Sequence, residues 1–315
     1  MAGKYREIDL SGVKTVSVSD RGSSVTADRF GRPAKGGKSF SRWLDSLPRF
    51  LAVEELRALA LAMRRAHAGP RGEILWMMGA HVVKCGLSPY VIDLVRRGWI
   101  TGVAMNGAGA IHDMEIALFG ETSEDVAANL ERGIFGFASE TADAAFDAIA
   151  GGERSGYGLG EALGARLVER RAPHRKLSIL CEAYRHDVPV TVHVAVGTDI
   201  LHQHPGFDGA AWGRLTARDF RIFAERVRAL GVDGGVALNI GSAVLLPEVF
   251  LKAFSIARNL GAPFERLTTC TMDMVRHYRP EENVLRRPTA FGGRGIRLVG
   301  HHELLVPLLY SALLS

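Results

Sequence analysis

Cysteine is scarce in this sequence. Three are present, Cys85, Cys181 and Cys270, and no two of them form a Cys-x-x-Cys pair. An odd number without paired spacing argues against a disulfide framework, and the missing pair argues against the usual structural zinc site. A disulfide-stapled secreted scaffold is therefore excluded.

Long hydrophobic runs are also missing. No apolar run reaches the roughly 18 residues that a membrane-spanning helix needs. The first ten residues, MAGKYREIDL, contain no signal-peptide core. We therefore expect a cytoplasmic protein that has no membrane partner.

Lysine is the third shortage. It occurs at only seven positions, so arginine carries most of the positive charge behind the net charge of +5. Nucleic-acid binding usually needs a concentrated basic stripe or a known module, and the sequence shows neither. An arginine-rich solvated surface explains the charge better, and we expect a small molecule as the partner rather than nucleic acid.

Short apolar segments that alternate with helical patterns are abundant. The predicted strands are Glu73–Met78, Gly102–Met105, Val188–Val196, Gly235–Ile240, Arg266–Thr271 and Ile296–Val299. The predicted helices are Leu51–His67, Ser88–Arg97, His112–Phe119, Leu177–His186, Thr216–Leu230, Pro247–Leu260 and Glu303–Leu314. Near-continuous apolar strands alternating with helices predict an α/β fold, with a Rossmann-like parallel sheet covered by helices on both faces.

The pattern also predicts the domain organisation. Residues 1–45 are rich in Gly, Ser, Lys and Arg, and we expect an arm-like or flexible segment there. Residues 46–315 are expected to form one nucleotide-binding-like α/β domain. Residues from about 122 to 172 contain successive helical patterns and no strand, which predicts a helical insert.

Ligands of open parallel sheets bind at the carboxyl ends of the strands, so the residues after each predicted strand are candidates for a site. Small residues let a backbone approach a phosphate, and helix N-termini supply donors for it. The candidates after the strands include Gly79, Ala80, Asn106, Gly107, Asp199, Gly241, Ser242, Thr269 and Asp273. Turns of this kind need glycine and capping residues in any case, and Gly107-Ala108-Gly109 is only a fragment of the dinucleotide fingerprint.

Several segments together resemble the deoxyhypusine synthase family. They are Glu73–Phe119, which contains the pair His112-Asp113, then Ser178–Asp199, Val236–Gly261 and Ile296–Leu314. The resemblance implies a deoxyhypusine-synthase-like fold, a homotetramer with active sites at subunit interfaces, bound NAD, and transfer of an aminobutyl group from a polyamine. It also implies NAD contacts at Ala80, Asn106, His112, Asp199, Thr269 and Asp273, with Gly241-Ser242 beside the polyamine site.

The chain departs from this family at the catalytic lysine. The corresponding region, Asn283–Gly293, reads NVLRRPTAFGG, and no lysine follows Lys252. Arginine cannot replace it, because a guanidinium stays protonated and does not form the imine. We therefore expect an NAD-linked transferase that acts on a polyamine or another amine or amino-acid-like substrate, without lysine-dependent deoxyhypusine synthesis.

Other residues offer alternative chemistry. Asp199 and His204 are candidates for acid–base work, and Lys84 is a candidate phosphate contact or relocated nucleophile. The cluster that contains His202 and His204 allows a metal-dependent hydrolase instead, although backbone-bonded histidines in a polar loop explain it as well. A non-catalytic nucleotide-binding relative is the third possibility. Arg286-Arg287 would suit an acidic substrate or an intersubunit ion pair.

Overall fold

The structure is a computed structural model that describes residues 11, 13–14, 17, 27–33 and 39–315. The chain divides into two compact units, 1–50 and 51–315. The first contains a short 3-10 helix, Ala27–Arg29, and helix α1, Phe40–Ser46, which the sequence pattern did not predict. Most of the predicted arm over 1–45 lies outside the described residues.

Six strands form one parallel sheet in the second unit, in the order β3-β2-β1-β4-β5-β6. They are β1 Ile74–Met78, β2 Gly102–Asn106, β3 Val190–His193, β4 Val236–Ile240, β5 Thr268–Asp273 and β6 Arg294–Val299. All residues of β1 and β4 are buried, since helices cover both faces of the sheet. The predicted α/β fold with a parallel sheet is thereby confirmed.

Helices connect the strands and cover the sheet. Before the insert they are α2 Leu51–Ala68, α3 His81–Lys84, α4 Ser88–Arg96 and α5 Gly107–Phe119. The segment after α5 contains α6 Val126–Glu131, α7 Ser139–Ser155 and α8 Leu159–Glu169. The remaining helices are α9 Ile179–Arg185, α10 Gly209–Leu230, α11 Leu245–Asn259, α12 Tyr278–Pro280, α13 Arg287–Thr289 and α14 His302–Leu314.

The largest differences from the predicted boundaries occur in three elements. Helix α5 begins at Gly107 rather than His112, and α10 begins at Gly209 rather than Thr216. Capping explains both, because Asn106 accepts the Gly109 N–H and Asp208 accepts the Ala210 and Ala211 N–H groups. Strand β3 is shorter than predicted.

The core lies between α10, α11 and the face of the sheet formed by β1, β4 and their neighbours. Phe223, Phe250 and Phe264 are among its largest fully buried side chains. Each such side chain contributes roughly 1.5–3 kcal/mol through burial. This packing fixes the strand ends from which the candidate site is built.

Asp219 of α10 secures the outer edge of β3. Its carboxylate accepts the Val192 N–H at 2.7 Å and the Gly160 N–H at 2.9 Å. Thr216, one helical turn earlier, donates its hydroxyl to the Val192 carbonyl at 2.8 Å. Burial raises the pKa of Asp219 to about 7. Helix α10 thus binds both outward backbone groups of Val192 in β3.

Among the described residues, no helix is both long and apolar enough to cross a membrane.

Candidate functional site

The chain leaves β1 and β4 in opposite directions along the sheet, so their carboxyl ends mark the point where the strand order reverses. The backbones of Gly79 and Gly241 meet there. A Cβ on Gly79 would lie 2.2 Å from the Gly241 carbonyl oxygen, and Gly241 itself has a φ of +66°. Only glycine satisfies both positions, which lets the two strand ends pack directly against each other.

A cavity of about 330 Å³ opens at the same edge of the sheet. We call it the edge cavity. Its lining includes residues that follow β1, β2 and β3, which are Lys84, Ala108 and Asp199, and residues of the segment between α5 and α7. The volume is at the lower end of the range for small-molecule sites. The polar members of its lining are Lys84, His112, Glu115, Ser123, Glu124, Thr198 and Asp199.

Asp199 is the most deeply placed carboxylate of the edge cavity. Its side chain is 5% exposed, and its Oδ2 has no hydrogen-bond partner. Burial raises the pKa of Asp199 to about 6, although the Ala108 N–H acts to lower it. An unpartnered buried acceptor beside a cavity is suited to receive a hydrogen bond from a bound molecule.

His202 lies behind Asp199. Its Nδ1 accepts the N–H groups of Gly197 and Asp199 at 3.1 and 3.2 Å, so the ring proton is on Nε2. That nitrogen is 3.8 Å from Asp199 Oδ2. Burial lowers the pKa of His202, which favours the neutral ring. His202 therefore shapes the loop that presents Asp199.

His112 joins the edge cavity from helix α5. Its Nδ1 lies 2.6 Å from the Thr122 hydroxyl oxygen, and that hydroxyl donates to Glu115. The other Glu115 oxygen accepts the Thr141 hydroxyl at 3.0 Å. Burial acts to raise the pKa of Glu115, but hydrogen bonds with His112, Thr122 and Thr141 outweigh it and hold the pKa below its usual value.

Lys84 is exposed at the end of α3 and brings one positive charge to the edge cavity. Three carboxylates, those of Glu115, Glu124 and Asp199, line the same cavity. An adjoining groove shares Glu115 and Glu124 and adds Glu121 and Glu140. The cavity and the groove are therefore strongly acidic, a charge balance that suits a cationic ligand.

Asn106 and Gly107 form the rim between β2 and α5. The Asn106 side chain accepts the Gly109 N–H at 3.0 Å, and a Cβ on Gly107 would lie 1.9 Å from Asp199 Oδ2. The first donors of α5 are thus engaged by side chains of this chain. Asn106 and Gly107 place Asp199 and Ala108 at the cavity, and their own direct contact with a ligand stays a prediction.

Asp113 lies away from the edge cavity. It is fully buried, and its two oxygens accept the Ser178 hydroxyl at 2.6 Å and the N–H groups of Ile179 and Leu180 at 2.8 and 3.0 Å. Burial nevertheless raises the pKa of Asp113 to about 6. The structure therefore gives Asp113 a packing role, holding the start of α9 against α5, in contrast to the predicted cofactor contact.

His204 also lies outside the lining of the edge cavity. Its Nε2 donates to the Gly136 carbonyl at 2.8 Å, and its ring packs against Phe137 and Phe146. The structure thus packs His204 against α7 and the segment before it, and gives no support to its predicted acid–base role. Among the described residues, no group of three His, Cys, Asp or Glu side chains is arranged to hold a metal ion, which leaves the His202/His204 hydrolase without a centre.

The predicted residues near β4 and β5 form a second group. Ser242 is buried and its hydroxyl accepts the Leu246 N–H at 3.2 Å, which caps α11. Thr269 is fully buried inside β5, and its hydroxyl has no partner. Asp273, half-buried at the end of β5, accepts the Met274 N–H at 2.8 Å. Of these three residues, only Asp273 has a side chain that is not buried. Ala80 and Gly241, which follow β1 and β4, are partly exposed and have no polar side chain.

Two histidines, His302 and His81, lie close to Gly241 at this end of the sheet. His302 is 1% exposed, its Nε2 lies 3.3 Å from the Met272 carbonyl, and its Nδ1 has no partner. His81 packs edge-on against it and lies 3.2 Å from the Cys85 sulfur. Burial, followed by the charge of Glu303, raises the pKa of Cys85, so the thiol is not activated as a nucleophile.

The segment that replaces the family's lysine region is helical. Residues 281–286 form a π-helix between α12 and α13, where the sequence pattern suggested a loop. Arg286 is paired with Glu282, and Arg287 donates to Asn283 at 2.6 Å. Both arginines therefore have partners within their own segment and are not directed at an acidic substrate.

Sequence reasoning missed Glu115, Thr122 and Thr141 as members of the site. One signal was available, because Glu115 is three residues after His112 and so lies on the same helix face. Thr122 and Thr141 carried no such signal, since they line the adjoining groove and meet Glu115 only through the fold of the insert.

Comparison with known proteins gives structural likeness only. No protein-family model and no curated protein matches the chain. The structure of an Entamoeba histolytica protein assigned as a deoxyhypusine synthase matches with a TM-score of 0.53 and 11% identity, over 90% of this chain and 95% of that one. The likeness covers nearly all of that protein and confirms the expected deoxyhypusine-synthase-like fold.

Two other solved structures share this fold. A conserved LOR/SDH-type protein of Methanococcus maripaludis S2 matches with a TM-score of 0.51 and 15% identity, over 84% of this chain and 70% of that chain. AgrE, solved with ornithine and NAD+, matches with a TM-score of 0.50 and 14% identity over 82% of this chain. The match spans about a third, 32%, of the AgrE chain.

Proposed function

We propose that this chain is an NAD-linked enzyme of the transferase type that acts on an amine or amino-acid-like substrate in the edge cavity. The observation that carries the proposal is the acidic cavity at the carboxyl edge of a parallel sheet, where such folds bind their ligands. The AgrE structure, which contains ornithine and NAD+, supports this choice of ligands.

Two residues of the site offer contacts that a dinucleotide needs. The unpartnered Asp199 Oδ2 is an acceptor for a ribose hydroxyl, and Lys84 is a cation for a phosphate. Gly79 and Gly241 hold the carboxyl ends of β1 and β4 in direct contact beside this site. The start of α5 is less suitable for phosphate, because Asn106 and Asp199 already engage its first donors. Bound nicotinamide would supply hydride transfer.

The acidic lining supports the choice of an amine. Glu115, Glu124 and Asp199 face one ammonium group, that of Lys84, so a cationic substrate would improve the charge balance. Lysine-dependent deoxyhypusine synthesis is not proposed, because no lysine follows Lys252. Asp199 would orient the ligand, and the loop between α5 and α7 would exclude water.

Isothermal titration with NAD tests the proposal, first alone and then with spermidine or ornithine present. We expect micromolar NAD binding that either amine strengthens. Lys84→Gln should weaken NAD binding by about tenfold, which corresponds to ~1.4 kcal/mol. Lys176→Gln is the matched control, since Lys176 is exposed in the short 3-10 helix Arg175–Leu177. No detectable heat with NAD would reject the proposal.

A further inference from the structure

A chain of hydrogen bonds fixes the ring of His112. The Thr122 hydroxyl has one proton, and its geometry directs that proton to Glu115. The bond between His112 Nδ1 and the Thr122 oxygen, at 2.6 Å, must therefore use a proton on Nδ1. In the neutral ring this leaves Nε2 without a proton and able to accept one.

Because His112 lies at the edge cavity, we expect its Nε2 to accept a proton from a bound molecule. The side chain is 19% exposed and lines the edge cavity together with Lys84, Glu124 and Asp199. The Glu115 carboxylate lies 3.8 Å from His112 Nδ1 on the opposite side of the ring. A ring that gains a proton at Nε2 would thus keep an anion behind it, as in a base held by a carboxylate through an intervening group.

We propose that His112 is the proton-accepting catalytic residue of this site and that Thr122 and Glu115 are its positioning residues. The inference rests on the proposed function for the identity of the substrate. The substrate's ammonium N–H bond breaks, and a new N–H bond forms at His112 Nε2. The amine keeps the electron pair and becomes neutral, while the positive charge moves to the imidazole ring.

Bound NAD+ would supply hydride transfer, and the proton accepted by His112 would provide the neutral amine that this transfer needs. Glu115 stays ionised and stabilises the charged ring, because hydrogen bonds from His112, Thr122 and Thr141 counteract its burial. Thr141 belongs to α7 and Thr122 to the loop before α6, so the folded insert completes the arrangement.

Nitrogen NMR of the full chain with labelled histidine tests the tautomer. In the wild type, neutral His112 should have its proton on Nδ1. Thr122→Val is nearly isosteric and removes the hydroxyl, so the proton should redistribute toward Nε2. Thr122→Ser should restore the wild-type tautomer, and Glu115→Gln should retain it, since an amide oxygen still accepts the Thr122 proton. A wild-type ring with its proton on Nε2 overturns the proposal.

Carbethoxylation by diethyl pyrocarbonate, located by peptide mass spectrometry, tests whether Nε2 faces the cavity. His112 should react in the wild type, and the rate should fall about fivefold in Thr122→Val because a protonated Nε2 is not nucleophilic. Thr122→Ser should recover it. An unreactive His112, or a rate unchanged in Thr122→Val, overturns the proposal. Neither measurement uses NAD, so failure of the proposed function would appear only in the NAD titration.

Discussion

The Asp199 carboxylate occupies the space that a side chain on Gly107 would need. A Cβ at position 107 would lie 1.9 Å from Asp199 Oδ2. Position 107 therefore has to be glycine because Asp199 fills the space beside it. The flexibility that a phosphate-binding loop needs is not the reason. This contact ties the loop after β3 to the start of α5 and so sets the floor of the edge cavity.

Gly107→Ala should displace Asp199. Because the carboxylate is buried and short, we expect a loss of stability of ~1–3 kcal/mol from overpacking. NAD binding should weaken in the same variant. Gly213→Ala is the control, since a Cβ there meets nothing within 4 Å and helix α10 should gain ~0.5–1 kcal/mol. Urea denaturation measures both, and equal stabilities of the two variants would contradict the prediction.

Asp199 should also make stability depend on pH. A carboxyl whose pKa is raised to about 6 by burial holds its proton more tightly when folded, so its contribution is present at low pH. That contribution is lost as pH rises from about 4, the unfolded value, through about 6.

Asp199→Asn removes this pH dependence. Relative to the wild type, the variant should be more stable at pH 8 than at pH 4.5 by up to ~2 kcal/mol, the equivalent of about one and a half pKa units. Denaturant titrations at the two pH values give the difference. The exposed Asp143→Asn on α7 serves as the reference. A variant that differs from the wild type by the same amount at both pH values would refute the assignment.

Asp113→Ala should lower the stability of the fold and leave the edge cavity unchanged. The change leaves the Ser178 hydroxyl and the N–H groups of Ile179 and Leu180 without their acceptor. We expect a cost of ~2–4 kcal/mol in urea denaturation. Asp143→Ala should cost almost nothing. Under conditions where the variant is folded, NAD affinity should match that of the wild type.

His204→Ala tests whether His204 serves the packing of the fold or the binding site. The variant loses the hydrogen bond to Gly136 and the contacts with Phe137 and Phe146, so the free energy of unfolding should fall by ~1–3 kcal/mol. NAD affinity should stay within twofold of the wild type. A drop in affinity of tenfold or more with unchanged stability would restore His204 to the site.

Most of the sheet could be predicted from the sequence because its strands are apolar on both faces. The predicted Glu73–Met78 and the observed Ile74–Met78 differ by one residue, and the neighbouring Val236–Ile240 is likewise buried throughout. The start of α5 could not be predicted in the same way. Gly107-Ala108-Gly109 has low helix propensity, and the Asn106 cap overrides it.

The candidate site was only partly accessible to sequence reasoning. Lys84, His112 and Asp199 could be chosen because each follows a strand and the strand ends share one edge. Asp113, adjacent to His112, was indistinguishable in sequence, yet its helix position turns it into the interior. Thr122 and Thr141 depend on tertiary placement of the insert, which no local pattern encodes.

The hydrogen bonds between α10 and β3 affect how the sheet could aggregate at high protein concentration. An outermost strand normally offers a row of unpaired N–H and carbonyl groups to a strand of another molecule. Here Asp219 and Thr216 occupy both backbone groups of Val192. At Val192 this border of the sheet therefore offers no free backbone group to a strand of another molecule, which disfavours aggregation by sheet extension at that point.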